Sequence, residues 1–258
     1  MKHLPNLLTL ANLVSGCLAI VFVLNSQPFL TQYGDGAYWV TGTEQAYYAS
    51  ICILVSAVCD VLDGFVARKL NIFSPIGKDL DSLADMVSFG VAPSMILFKM
   101  LWASQMTSQD ALDANMLAMA PAFLIACCGA LRLARFNITA NVQRNSFMGM
   151  PIPATGLLIA SFPLINWYNP MGIGAFLQNA WILYVIIGLL SWLMVSKIRF
   201  IKLIPSNFSV KHIWPQIVLL IAGVALAPIA GWATVLFVFV LYMVLSLVYK
   251  PQENKIEE

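Results

Sequence analysis

Long apolar runs separated by short polar segments follow one another along the whole of this sequence. The 258 residues are 60% hydrophobic and only 10% charged, whereas an ordinary water-soluble domain carries about 25% charged residues. A helix that crosses a bilayer needs roughly 20 apolar residues. The runs therefore predict an all-α, multi-pass membrane bundle. The eight candidate spans are residues 5–24, 46–67, 80–101, 117–136, 152–168, 179–196, 213–229 and 232–249.

The number of spans depends on how the shortest runs are interpreted. The fifth and seventh are short, so six or seven spans result if a short run lies along the membrane surface, and only a tight break around residues 228–231 separates the last two. The first run has a Pro5-Asn6 interruption at its start and no clear small-x-small cleavage site after it. We expect it to be a retained span and not a signal peptide.

The basic residues favour eight spans and predict their orientation. In an eight-span arrangement every Lys and Arg except Lys99 lies on one side, whereas the opposite loops 25–45, 102–116 and 169–178 have none. By the positive-inside rule that side is cytoplasmic, together with both termini and the 68–79 loop. The residues on that side are Lys2, Arg68, Lys69, Lys78, Arg132, Arg135, Arg144, Lys197, Arg199, Lys202, Lys211, Lys250 and Lys255.

Composition excludes several kinds of function. A net charge of +2 offers no broad basic surface for nucleic acid. All five cysteines lie inside apolar runs, without disulfide or zinc-ligand spacing. His3 and His212 are the only histidines, so any metal would be a hard cation bound by oxygen ligands.

Five of the 12 acidic residues crowd into residues 60–85, beside apolar sequence on both sides. On a helix, Asp60 and Asp63 share a face with Gly64 and Ala67, and after a short loop Gly77, Asp81 and Asp85 share a face of the next helix. Two such helices would bring four carboxylates together, and a divalent cation would relieve their repulsion. All-oxygen ligation suits Mg²⁺ or Mn²⁺. Asp79 lies off the stripe and is expected to be solvated.

The same residues follow a known pattern. Asp60-x2-Asp63-Gly64-x2-Ala67-Arg68-x8-Gly77-x3-Asp81-x3-Asp85 resembles the signature of the CDP-alcohol phosphatidyltransferases, with every fixed position filled. Members of that family displace CMP from a CDP-linked lipid with a hydroxyl nucleophile. The resemblance implies a six-helix family core, to which this chain adds two C-terminal helices.

The resemblance also implies roles for individual residues. Asp60, Asp63 and Asp81 are expected to hold the metal, with Asp85 beside them as a fourth acidic group of the site and as the general base. The cytidine nucleotide is expected in the groove beside Gly64. The groups expected around the nucleotide are Asn6, Thr9, Asp60, Gly64, Ala67, Arg68 and Gly77.

The flanking sequence resembles one branch of the family, the integral-membrane phosphatidylserine synthases. The segments concerned are 82–93 (SLADMVSFGVAP), 131–137 (LRLARFN) and 149–154 (GMPIPA). This resemblance implies direct transfer of the phosphatidyl group of CDP-diacylglycerol to the L-serine hydroxyl. Candidates for holding the serine carboxylate or a lipid phosphate are Arg132, Arg135, Lys197 and Arg199, and residues 144–154 could form a wall on the serine side.

Two other functions remain open at this stage. A sibling enzyme would use another acceptor, such as glycerol 3-phosphate or inositol phosphate, and would be expected to have more basic residues for it. A divalent-cation transporter would use the acids as an ion site, although they lie at the ends of their spans and not at midplane. A covalent-histidine mechanism requires His-x-Lys pairs, which neither histidine supplies.

The expected organisation is a phosphatidyltransferase membrane domain over residues 1–200, an added transmembrane hairpin over 201–250 and a cytoplasmic tail over 251–258. The resemblance further implies a homodimer. We expect a prokaryotic cytoplasmic membrane as the location, with the active site on the cytoplasmic face.

Overall fold

The computed structural model describes residues 4–26, 29–33, 36–40, 43–70, 75–106, 115–139, 147–201 and 210–248. The expected tail 251–258 and the basic residues Lys2, Arg144, Lys202, Lys250 and Lys255 lie outside these ranges. The helices are α1 (Leu4–Leu24), α2 (Thr43–Leu70), α3 (Pro75–Asp85), α4 (Ala92–Met106), α5 (Met116–Met119), α6 (Leu124–Thr139), α7 (Ile152–Tyr168), α8 (Ile173–Leu177), α9 (Ala180–Val195), α10 (Val210–Ala230) and α11 (Thr234–Val248). The strands are β1 (Phe29–Tyr33), β2 (Gly36–Val40), β3 (Phe147–Met148) and β4 (Arg199–Phe200).

The first two helices run antiparallel. Near one end Thr9 of α1 contacts Asp63 of α2, and near the other the rings of Phe22 and Tyr48 lie 5.7 Å apart. Both helices leave apolar side chains such as Leu7 and Val58 exposed. In a helix of this length and hydropathy, that is the face expected to meet lipid.

The third span is one helical stretch with an altered turn in the middle. Residues Met86–Val91 form a π-helical turn between α3 and α4, in which the Ala92 N–H donates to the carbonyl of Val87. Pro93 follows and has no N–H, so the ordinary ladder cannot continue through it. A π-turn adds a residue and shifts the faces of the helix on either side of it. Asp85 ends α3 immediately before the shift.

The middle of the chain supplies two shorter helices. α7 has 17 residues, and α9 has 16 and is bent by 88° from the short helical segment Pro170–Leu177 before it. α5 and α6 flank a 3₁₀ turn at Ala120–Phe123, and together they run parallel to α9, because Tyr184 contacts Ala118 at one end and Arg135 contacts Val195 at the other. Helices are therefore present where the fifth and sixth spans were predicted, but both are short for a membrane span.

The last helical stretch folds back on itself. A Cβ built on Gly223 would lie 3.8 Å from Cγ2 of Val238, although a straight helix would separate these residues by about 22 Å. The reversal falls at Gly231, whose φ is +51° and which opens the 3₁₀ turn Gly231–Ala233. This agrees with the break expected around residues 228–231 and makes α10 and α11 a hairpin.

Two short antiparallel ladders complete the described structure. β1 pairs with β2, with Phe29 opposite Val40, where the sequence suggested only a polar loop. β3 pairs with β4, with Phe147 opposite Phe200. The second ladder joins the start of α7 to the segment after α9.

The fold class predicted from the apolar runs is confirmed. Five helical stretches of the described residues are long and apolar enough to cross a membrane, and there are six if the bent pair Pro170–Leu177 and Ala180–Val195 forms one span, whereas α7 is a shorter apolar helix. The five stretches are Leu4–Leu24, Gln45–Leu70, Ile76–Gln105, Met116–Ile138 and Trp214–Val248.

Candidate active site

Three carboxylates lie close together between the C-terminal part of α2 and the neighbouring helix α3. Oxygens of Asp60, Asp63 and Asp81 all lie within 4.8 Å of one another. Asp63 is only 6% exposed, and Asp60 and Asp81 are half-buried. The two helical stripes expected from residue spacing thus face each other.

Asp85 lies one helical turn farther along α3 and is 9% exposed. Its Oδ1 accepts a hydrogen bond from Nδ2 of Asn12, at 3.4 Å. It does not belong to the group of three whose oxygens converge. Of the four acids expected around a metal, the structure therefore brings three together and holds the fourth beside them against α1.

α1 also holds one of the three converging carboxylates. The hydroxyl of Thr9 is buried and donates to Oδ2 of Asp63, at 2.7 Å. Asn6 lies three residues earlier on α1 and is half-buried. Thr9, expected to reach a nucleotide, thus makes its closest described contact with an acidic residue.

The acidic group suits a hard divalent cation. Two unit charges about 4 Å apart repel by about 4 kcal/mol at an effective dielectric constant of 20, so three carboxylates need a counter-charge. Oδ1 of Asp81 is buried and finds no hydrogen-bond partner among the residues that the structure describes. A buried carboxylate oxygen without a hydrogen-bond partner is available to coordinate a metal ion. Ligation by oxygen atoms alone fits Mg²⁺ or Mn²⁺.

Next to the acids, α2 presents a face without bulky side chains. A Cβ built on Gly64 would have the guanidinium of Arg68 as its nearest neighbour, with Nη1 at 3.6 Å. Arg68 is exposed and interacts electrostatically with Asp63. Ala67, one turn along the same helix, and Gly77 on α3 are half-buried. The groove expected beside Gly64 stays a prediction, with Arg68 the nearest side chain to its position apart from the two chain neighbours.

The four candidate cations for an acceptor or phosphate occupy different environments. Arg132 is 6% exposed, lies 5.6 Å from the ring of Phe136 and interacts electrostatically with Asp85. Arg135 is exposed and donates to the carbonyl of Val195, at 3.1 Å. Lys197 and Arg199 are exposed at the same end of the bundle. Among these four, the described contact with an acidic residue is that of Arg132 with Asp85.

The segment around Gly149 packs on the chain that follows α9. The Gly149 N–H donates to the carbonyl of Ile198 and the Met150 N–H to that of Leu193. Gly149 has a φ of +76°, and a Cβ there would lie 2.3 Å from the carbonyl oxygen of Met194, so glycine is required on both grounds. Of the 144–154 segment, Gly149 and Met150 are therefore held against the end of α9 and the residues after it, whereas residues 144–146 lie outside the described ranges.

Sequence reasoning missed Asn12. It lies three residues after Thr9, on the same face of α1, and is one of few polar residues in a mostly apolar run. That spacing could have drawn attention to it. Its partner could not have been named, because the contact joins residues that are 73 positions apart.

The fold and the site together define an integral-membrane protein with a group of three acidic residues, at one end of its helix bundle, that could hold a metal ion. The family model for CDP-alcohol phosphatidyltransferases matches residues 2–196. The chain belongs to this family. Its members generally use a divalent metal, in agreement with the acidic group described above.

Three curated relatives have the same description. The chain is 43% identical over 151 residues to the CDP-diacylglycerol–serine O-phosphatidyltransferase of Methanocaldococcus jannaschii. The aligned region covers 58% of this chain and 62% of that protein. It is 34% identical over 204 residues to the protein of the same description from Bacillus subtilis, covering 78% and 90% of the two chains. A third, from Helicobacter pylori strain J99, is 30% identical over 249 residues, covering 95% and 91%.

Proposed function

We propose that this chain transfers the phosphatidyl group of CDP-diacylglycerol to the hydroxyl of L-serine and releases CMP. The observation that carries the proposal is the convergence of Asp60, Asp63 and Asp81 beside a buried Asp85, in a chain of this family. The acceptor is inferred from the relatives, whose printed descriptions name serine.

In this proposal the three converging carboxylates hold one or more divalent cations, Mg²⁺ or Mn²⁺. When bound, a cation of this kind neutralises charge on the pyrophosphate and on the departing CMP. The face of α2 at Gly64 takes the cytidine nucleotide, because a Cβ there would have Arg68 as its nearest neighbour beyond the adjacent residues, at 3.6 Å. Arg68, Asn6, Ala67 and Gly77 border the same region.

The reaction is a direct displacement. Asp85 takes the proton of the serine hydroxyl as that oxygen bonds to the lipid-side phosphorus, and the bond from this phosphorus to the bridging oxygen of CMP breaks. The hydroxyl of serine has a pKa far above neutrality, so general-base catalysis and positioning share the task. The buried position of Asp85 protects it from competing solvent.

The serine carboxylate requires a cation near Asp85. Arg132 is the best candidate of the four, because its guanidinium is buried and interacts with Asp85. Arg135, Lys197 and Arg199 are exposed at the same end of the bundle, and we assign them to lipid phosphates and the membrane interface.

The site faces the cytoplasm in this proposal, because the described basic residues other than Lys99 gather at the end of the bundle that holds the acids. The domain division at about residue 200 is supported by the family match, which ends at 196. The C-terminal hairpin and a homodimer complete the proposed organisation. Cross-linking in native membranes tests the dimer.

An acceptor panel tests the function. Purified full-length protein with CDP-diacylglycerol and Mn²⁺ is given L-serine, glycerol 3-phosphate, inositol or inositol phosphate, and CMP release is followed. We expect release with serine alone. Release with another acceptor would identify a sibling activity, and metal binding without CMP release for any alcohol would favour the transporter alternative.

A further inference from the structure

Asn12 lies in the apolar interior of the bundle and is completely buried, with 0% exposure. Its Nδ2 donates to Oδ1 of Asp85, at 3.4 Å. The amide has this orientation for a simple reason: its own oxygen would repel a carboxylate oxygen, whereas its N–H groups attract one. Among the described residues, Asn12 thus donates a side-chain hydrogen bond to Asp85, the proposed general base.

The backbone of Asn12 is fixed by two other helical elements. The hydroxyl of Ser56 on α2 donates to the carbonyl of Asn12 at 3.1 Å, and the hydroxyl of Ser88 on the π-turn donates to the same carbonyl at 3.0 Å. Both serines are completely buried. Asn12 therefore joins three helical elements as well as contacting Asp85.

A glycine makes this junction possible. A Cβ built on Gly16, one turn after Asn12, would lie 2.4 Å from Oγ of Ser88 and 2.9 Å from its Cα. Any side chain there would push the π-turn away from α1, and the Ser88 hydroxyl would lose the carbonyl of Asn12. The close approach of α1 and the π-turn therefore positions Asn12 relative to Asp85.

We propose that Asn12 is a positioning residue for Asp85. Its amide holds Oδ1 of the Asp85 carboxylate, and this orients Oδ2 towards the acceptor hydroxyl. This inference rests on the proposed function only in treating Asp85 as the general base. Asn12 need not touch either substrate. Misalignment of a catalytic group by about 1 Å can cost about 100-fold in rate.

The first test replaces the amide by an apolar side chain of similar size. In Asn12→Leu we expect kcat for CMP release to fall about 10- to 100-fold, in line with the loss of groups that orient a catalytic residue. We expect the KM for CDP-diacylglycerol and the affinity for Mn²⁺ to stay within about threefold of wild type, since the three converging carboxylates and the groove are untouched.

A matched control makes the same chemical change elsewhere. Asn166 is half-buried near the end of α7, far from the acids, and we expect Asn166→Leu to retain the wild-type kcat. Thermal unfolding in detergent is measured for both variants. If Asn12→Leu does not fold, Asn12→Asp is used, because it keeps the size and shape of the side chain and replaces its donor with an acceptor.

Two further variants separate positioning from simple packing. Removing the Ser88 or Ser56 hydroxyl releases the carbonyl of Asn12 but leaves its amide. We expect Ser56→Ala and Ser88→Ala each to lower kcat less than Asn12→Leu does, with an unchanged KM for CDP-diacylglycerol. A purely structural role would instead lower kcat in proportion to the loss of thermal stability.

The inference is overturned if a folded Asn12→Leu or Asn12→Asp protein keeps kcat within threefold of wild type. It is also overturned if either variant loses CDP-diacylglycerol binding to the same extent as activity. The proposed function is judged separately, on the wild-type protein with the acceptor panel. Should the wild type use another alcohol, the Asn12 variants are compared with that alcohol.

Discussion

Two side chains of the first helix each donate to a different carboxylate. Thr9 donates to Asp63 and Asn12 to Asp85, so α1 holds one acid of each of the two facing helices. Hydrogen bonds to charged acceptors contribute more than neutral ones, about 1.5–3 kcal/mol. The acidic residues are therefore oriented by neutral donors on α1, which leaves their negative charge available for a cation.

Replacing Asp85 tests whether this residue is the general base, a role separate from metal binding by the three converging carboxylates. We expect Asp85→Asn to lower kcat by about 10²–10⁴-fold, the usual contribution of general-base catalysis, while CDP-diacylglycerol still binds. CMP release and lipid-nucleotide binding are measured on the same preparation. Asp79→Asn is the control, because Asp79 is exposed, and it should be fully active. Retained activity in Asp85→Asn would remove the general-base assignment.

Gly64 tests whether this face of α2 takes a ligand. Alanine fits in the protein itself, because the nearest atom to its Cβ would be Nη1 of Arg68 at 3.6 Å, and alanine favours a helix by about 1 kcal/mol over glycine. We expect Gly64→Ala to unfold no more easily than wild type but to raise the KM for CDP-diacylglycerol at least about tenfold.

The control for that substitution is Gly188→Ala on α9, where a Cβ would meet nothing within 4 Å. It should leave both the KM and the unfolding temperature unchanged or slightly raise the latter. An unchanged KM in Gly64→Ala would mean that the nucleotide lies elsewhere.

At the level of elements, the π-turn packs between two helices through close backbone approaches. A Cβ on Gly16 of α1 would meet Ser88, and one on Gly156 of α7 would lie 2.9 Å from Cβ and 3.0 Å from Cα of Phe89. Phe89 is completely buried. The turn after Asp85 is thus held on both sides, and the direction of α3 into the site depends on it.

Gly156→Ala should show this dependence. Overpacking a dense interior costs about 1–3 kcal/mol, and the clash with Phe89 involves its Cα and Cβ, which cannot move without the backbone. We therefore expect a lower unfolding temperature together with a reduced kcat. The measurement is thermal unfolding and CMP release, again beside Gly188→Ala. Wild-type stability in Gly156→Ala would show that the turn adapts freely.

At the level of the whole molecule, the C-terminal hairpin packs against the family core. Tyr242 of α11 is 3% exposed, donates to the carbonyl of Ile201 at 3.0 Å and lies 5.8 Å from the ring of Phe200. The Ile201 N–H in turn donates to Ser246, at 3.3 Å. Phe200 belongs to the ladder that holds the segment before α7, so the hairpin supports that ladder from outside the family match.

The orientation of the bundle is open to a labelling test. In a background in which the five native cysteines are replaced, a membrane-impermeant maleimide is applied to intact cells that carry Lys69→Cys or Gln178→Cys. These positions lie at opposite ends of the bundle, and both are exposed. Because the positive-inside rule puts the basic end in the cytoplasm, we expect labelling of Gln178→Cys alone, and of both after permeabilisation. The reverse pattern would put the acidic site outside.

Much of the candidate site could be predicted from the spacing of residues that are close together in the sequence. The spacing of Asp60, Asp63, Asp81 and Asp85 fixes which face of each helix they occupy, since helical periodicity depends only on residues a few positions apart. The apolar runs similarly determine a membrane bundle. In contrast, the π-turn at Met86–Val91, the 88° bend before α9 and the ladder between β3 and β4 depend on packing, and sequence reasoning did not identify them.

Residue order alone is enough to predict a multi-pass helical bundle, two acidic stripes on either side of one short loop, and membership of the CDP-alcohol phosphatidyltransferases. The contacts of Thr9 and Asn12 with acids 54 and 73 residues away, and the burial of Arg132 beside an exposed Arg135, become visible only in the folded chain. This is because periodicity defines the face of a helix, whereas the depth and rotation of the helix against its neighbours follow from close packing at positions such as Gly16 and Gly156.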